Sequence, residues 1–150
     1  MNKVYILKLN GTKDSEDLAD IHAACFRDHW SFECFRSLME KTQCFGFIAN
    51  YEQQDCGFVL CQYVFEESDL LQICVLPEYR RKGIGKALLE EAKTYAQSNG
   101  IEKIFLEVAV NNSSAIKLYE SAGFQKLFER KGYYRSDESS IDAAVMVCLF

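Results

Sequence analysis

The chain is poor in the residues and motifs that build metal centres, common nucleotide loops and membrane spans. It carries two histidines, His22 and His29, and its seven cysteines form no C-x-x-C pair. Neither histidine stands at ligand spacing from a cysteine pair, so no zinc site and no metal cofactor is expected. There is no G-x-x-x-x-G-K-[ST] sequence, and no G-x-G-x-x-G with an acid about 20 residues on, which sets aside a P-loop and a dinucleotide fold. No apolar run approaches the ~20 residues that span a bilayer. Met-Asn-Lys-Val-Tyr opens without a signal-peptide apolar core. Positive charge is not in excess either: a net charge of −5 speaks against general nucleic-acid binding. An odd number of cysteines and no secretion signal predict reduced thiols and a cytoplasmic protein, with no membrane partner.

What is present is globular. Hydrophobic residues make up 49% and aromatics 13% of 150 residues, enough for one core and one domain over 1–150. Tyr5 to Leu9 reads as a first strand. Asp14 or Ser15 caps a helix through Leu18, Ile21, His22 and Cys25, with His22 an ordinary surface or boundary residue. Ser31 caps a second helix running to about Thr42. Cys44–Asn50 and Cys56–Phe65 read as a hairpin, and Glu66–Asp69 as the next turn. Ile104–Val108, Phe124–Arg130 and Ala143–Leu149 supply three more strands. A helix lies before Gly123, and a polar loop spans Lys131–Asp142.

The most informative stretch is Leu70 to Leu89, LLQICVLPEYRRKGIGKALL. An apolar strand ends at Pro77, the only proline, which has no N–H for a ladder. A basic loop with Arg81, Lys82, Gly83, Ile84, Gly85 and Lys86 follows, and then a helix begins. The first N–H groups of a helix lack internal partners, and its dipole adds about half a positive charge there. Strand, glycine-rich basic loop and helix start thus make an anion site, although the same spacing also describes a solvated turn.

The run Arg80–Gly85, R-x-x-G-x-G after V-L-P-E-Y, resembles the acyl-CoA pyrophosphate loop of the GNAT N-acetyltransferase superfamily. The element order, β-α-α-β-β-β-α-β-α-β-β, resembles the mixed α/β fold of that superfamily over nearly the whole chain. A strand–helix–strand crossover makes strands four and five parallel. The resemblance implies that these two strands splay and admit acetyl-CoA. Its pantetheine would then meet the backbone of Ile73, Cys74 and Val75, its pyrophosphate would meet Arg81–Lys86, and Asn112 would lie against the pantetheine arm.

Two residues are candidates for chemistry. Glu107 lies in an apolar strand, L-E-V-A-V, where alternation alone allows a side chain that simply reaches solvent. Tyr119 follows Ile116 and Leu118 and, on spacing alone, reads as a core aromatic. L-E-V with N-N-S-S-A-I-K-L-Y-E-S-A-G-F resembles the bacterial ribosomal-protein alanine N-acetyltransferases. That likeness implies Glu107 as base and Tyr119 as acid. The loops holding Trp30 and the pair Tyr133, Tyr134 resemble the substrate-lining loops of protein N-terminal acetyltransferases. Trp30 also reads as an apolar anchor. The implied partner is a protein or peptide N-terminus, that of a ribosomal protein, acted on by a monomer or weak dimer. Arg135 stands where those relatives often have proline. A small-amine acetyltransferase and a non-catalytic acyl-CoA sensor are the competing readings.

Overall fold

The structure, a computed structural model, describes residues 4–135 and 140–150, with the backbone alone for 133–135 and 140. Along the chain come β1 (Val4–Lys8), α1 (Ser15–Cys25), α2 (Phe32–Met39), β2 (Cys44–Tyr51), β3 (Gln54–Val64) and β4 (Glu67–Val75). Then follow α3 (Ile84–Ser98), β5 (Lys103–Ala109), α4 (Ser113–Ser121), β6 (Gln125–Arg135) and β7 (Ser140–Leu149). The strands form one sheet in the order β1-β2-β3-β4-β5-β7-β6. All neighbours are antiparallel except β4 and β5, which are parallel. Between them α3 makes the crossover, and Gly100, at φ +76°, gives the left-handed turn that ends it.

The two faces of the sheet are packed by different helices. Leu88, Leu89, Ala92 and Ala96 of α3, with Tyr119 of α4, cover Phe45, Phe47, Val59, Leu106, Val108 and Met146. Leu18 and Ile21 of α1, with Phe35 and Met39 of α2, cover Ile48, Phe58, Leu60 and Cys74. The helix ends follow local chemistry. Ser31 Oγ accepts the Cys34 N–H at 3.2 Å and starts α2. Asn112 Oδ1 accepts the Ala115 N–H at 3.3 Å and starts α4.

Several expectations need correction. The Asp14 carboxylate caps nothing in α1; a 3₁₀ turn over Gly11–Asp14 points it back to the Asn10 N–H at 2.6 Å. The turn expected at Glu66–Asp69 is tighter. β4 already begins at Glu67, and Phe65 takes φ +55° without any glycine or asparagine to signal it. The loop expected over Lys131–Asp142 is mostly strand, since β6 continues to Arg135 and β7 starts at Ser140. β6 is an edge strand and is exposed from Gln125 to Lys131, so no apolar alternation marks it. His22 is not at the surface: it is 2% exposed, on the packed face of α1.

Candidate active site

The site begins where a ladder stops. β4 and β5 pair at Glu67–Lys103, Ser68–Ile104 and Asp69–Phe105, and no further. On its other edge β5 stays paired with β7 from Lys103 to Ala109. β4 likewise stays paired with β3 up to Val75. A bulge accompanies the parting. Leu60 faces Gln72 and Cys61 faces Leu70, so Leu71 is an extra residue in β4. Such an insertion bends a strand and increases its twist.

The parting frees backbone groups. Leu76 donates its N–H to Cys56 O at 2.7 Å, across β3. Main-chain groups alternate along a strand, so Cys74 also turns its N–H toward β3, opposite Phe58. Ile73 and Val75 therefore point theirs into the gap. Val75 O, on that side, accepts Arg80 Nε at 3.0 Å and the Cys25 thiol at 3.5 Å. Of the three residues of β4 singled out from the sequence, Ile73 and Val75 present amides to the gap, whereas Cys74 faces β3 with its amide and the α1 side with its thiol. Burial raises the Cys74 thiol far above its ordinary value.

The basic loop closes the end of this gap. Arg81 and Gly83 are both left-handed, at φ +63° and +77°. α3 starts at Ile84 with no side-chain cap, so the N–H groups of Ile84, Gly85 and Lys86 face outward. A Cβ on Gly83 would meet nothing within 4 Å, which leaves the approach open. Gly85 has another duty: a Cβ there would stand 3.2 Å from Leu118 Cδ2, so α4 packs against it. Lys82 lies over the Tyr51 ring at 5.3 Å, while Arg81 and Lys86 are exposed. Amides, a positive helix end and free cations suit a diphosphate.

On the α1/α2 side the gap is continuous with a cavity of about 760 Å³ lined by Trp30, Asp69, Gln72, Phe105, Glu107, Phe128 and Arg130. Glu107 reaches it because β5 alternates: Leu106 and Val108 are buried under the opposite helices. Its Oε1 lies 3.2 Å from Arg130 Nη1, with 28% of the glutamate side chain exposed. The charge in an apolar strand is thus partnered. Asp69, nearby, has its carboxyl raised above the usual range by burial, then by the charges of Glu107 and Glu67.

Tyr119 sits on the other face, 8% exposed, edge-on to Phe124 with ring centres 6.0 Å apart. Glu107 and Tyr119 therefore lie on opposite faces of the sheet. Trp30 does two things: it packs on Phe35 at 5.4 Å and lines the cavity. The side chains of Tyr133 and Tyr134 lie outside what the structure describes. Sequence reasoning missed Asp69, Gln72, Phe105 and Phe128 as cavity walls. Phe105 was legible, being two residues before Glu107 on one strand; the others depend on the register of neighbouring strands.

Known proteins agree with this geometry. The acetyltransferase (GNAT) family model matches residues 15–124. The [ribosomal protein bS18]-alanine N-acetyltransferase of Haemophilus influenzae is 34% identical over 137 residues, 90% of this chain and 92% of the relative. The crystal structure of the ribosomal-protein-S18-alanine N-acetyltransferase from Escherichia coli superposes with a TM-score of 0.88 at 31% identity, covering 99% of this chain and 94% of that one. The structure of Arabidopsis thaliana NAA60 in complex with acetyl-CoA shares the fold, at TM-score 0.84 and 20% identity, over 100% of this chain and 99% of that one. The chain belongs to the acetyltransferase (GNAT) family and is an N-acetyltransferase.

Proposed function

We propose that this enzyme moves the acetyl group of acetyl-CoA to the α-amine of a protein N-terminus, and that its acceptor is the N-terminal alanine of a small-subunit ribosomal protein in the cytoplasm. The observation that carries this reading is the unpaired edge of β4, which runs from the α3 helix start into a cavity holding Glu107. The bS18-alanine acetyltransferases at 34% identity support the acceptor class.

Acetyl-CoA would lay its diphosphate on the amides of Ile84–Lys86 with Arg81 and Lys82 beside it. Its pantetheine would pair with Ile73 and Val75 in the gap and pass Asn112. The thioester would then stand between Tyr119 and Glu107. The acceptor enters from the cavity side past Trp30 and the Tyr133–Tyr134 strand. An α-amine has a pKa near 8, so only about a tenth is neutral at pH 7. Glu107, held by Arg130, takes a proton from the amine through a water molecule. The amine nitrogen attacks the thioester carbonyl, and a main-chain N–H on the open edge of β4 that is not paired with the pantetheine stabilises the oxyanion. As the tetrahedral species collapses, the C–S bond breaks, Tyr119 gives its proton to the leaving thiolate, and the nitrogen sheds its second proton to water. The products are the acetylated N-terminus and free CoA.

The test is thioester consumption with a peptide beginning in alanine, set beside spermidine and an aminoglycoside. The reading predicts peptide acetylation on the α-amine, located by mass spectrometry, with kcat/KM at least about tenfold above either small amine. Preferential turnover of a small amine would overturn it.

A further inference from the structure

α1 contributes a buried side chain that the mechanism above does not use. His22 is 2% exposed and surrounded by the rings of Phe26, Trp30, Phe35 and Phe58, with centres 4.6, 5.6, 5.4 and 6.4 Å away. Its Nδ1 accepts the main-chain N–H of Trp30 at 2.9 Å. An imidazole nitrogen that accepts carries no proton, so in the neutral ring the proton is on Nε2. Trp30 is on the loop before α2 and Gln72 is on β4, and both line the cavity beside Glu107.

We propose that His22 is a positioning residue: its neutral imidazole holds the Trp30 main chain and so fixes one wall of the groove that receives the acceptor. This rests on the cavity being the acceptor side, as proposed above. The tie exists in one protonation state only. A proton on Nδ1 would set a donor against the Trp30 N–H and cut that bond. The surroundings keep the ring neutral. Burial lowers its pKa; the neighbouring Gln72 opposes this in part, and the charge of His29, on the same loop as Trp30, lowers it further. Packed against the ring, α2 offers Phe35 and β3 offers Phe58, both uncharged, and β4 offers the neutral Gln72. Across the cavity Glu107 and Arg130 pair with each other.

Two variants and one spectrum test this. His22→Phe keeps a ring but accepts nothing. His22→Asn keeps an oxygen near the Nδ1 position and does not titrate. The Phe variant is expected to raise KM for an alanyl peptide roughly tenfold, the loss of about one hydrogen bond, with kcat and KM for acetyl-CoA within about twofold. The Asn variant is expected to recover most of that loss. As pH falls below the ordinary histidine range, the peptide KM of the parent should climb relative to that of the Asn variant. Nitrogen-15 NMR of the parent ring, which needs no acceptor, should show Nδ1 unprotonated at neutral pH. A protonated Nδ1 there, equal peptide KM in the Phe and Asn variants, or an equal rise in KM for acetyl-CoA would overturn the inference. If His22→Phe does not fold, the Asn profile and the spectrum decide. Failure of the parent to acetylate any alanyl peptide would instead sink the acceptor reading.

Discussion

The two faces of the sheet are finished differently. Under α3 and α4 the apolar cover runs from β2 across to β7, and Leu88, Leu89, Ala92 and Ala96 are essentially sealed. Under α1 and α2 it reaches β2, β3 and β4 and stops. Beyond that limit Phe105, Glu107, Phe128 and Val145 line a cavity in place of a helix. The same strand serves both: on β5, Leu106 belongs to the sealed face and Glu107 to the open one. A charged side chain is tolerated where the second layer is missing, because Arg130 and water reach it. The lesson is that the fold buries one face for stability and leaves the other incomplete for chemistry.

The sharpest way to break this contrast is at Glu107. With the fold unchanged, Glu107→Gln is expected to lower kcat by 100-fold or more, the usual worth of a general base. Tyr119→Phe should lower it less, about tenfold, since a thiolate leaves tolerably without a proton donor. Thioester assays on both variants check this, and unchanged turnover would remove the assigned roles. Next comes stability. Leu88→Ala, on the sealed face, should cost about 2–5 kcal/mol in urea unfolding. Phe128→Ser, on the open face, should cost within about 1 kcal/mol.

The smallest effect concerns Asp69. Burial and then the charges of Glu107 and Glu67 hold its carboxyl above the ordinary range. The folded chain thus keeps that proton to higher pH than the unfolded chain. Ionising Asp69 opposes folding, and stability falls as pH rises through the carboxylate range. Asp69→Asn is expected to be slightly more stable than the parent at pH 7, with the gain vanishing below about pH 4. A melting series over pH measures it.

Much of the architecture was legible because local signals agreed with the final fold. Pro77 ended β4 and Ser31 capped α2 as read, and Gly100 and Asn112 are residue types that suit the ends they occupy. What escaped was set by neighbours. The far end of β6 is polar because an edge strand need not alternate, so Lys131 to Arg135 looked like a loop. The Phe65 turn uses a left-handed residue with no sequence mark. His22 was misplaced at the surface although it follows Leu18 by four residues on the buried side of α1; the polar ring concealed the helical spacing. Glu107 was visible as an anomaly, but its Arg130 partner depends on the order β5-β7-β6, which no local pattern contains.

On the proposed function, β4 keeps an unpaired edge for the pantetheine of acetyl-CoA. Residue-resolved amide hydrogen exchange tests it directly. In the free protein Ile73 and Val75 should exchange quickly while Cys74 between them is protected, and acetyl-CoA should slow the first two. Equal protection of all three without ligand, or no change on adding acetyl-CoA, would contradict the account.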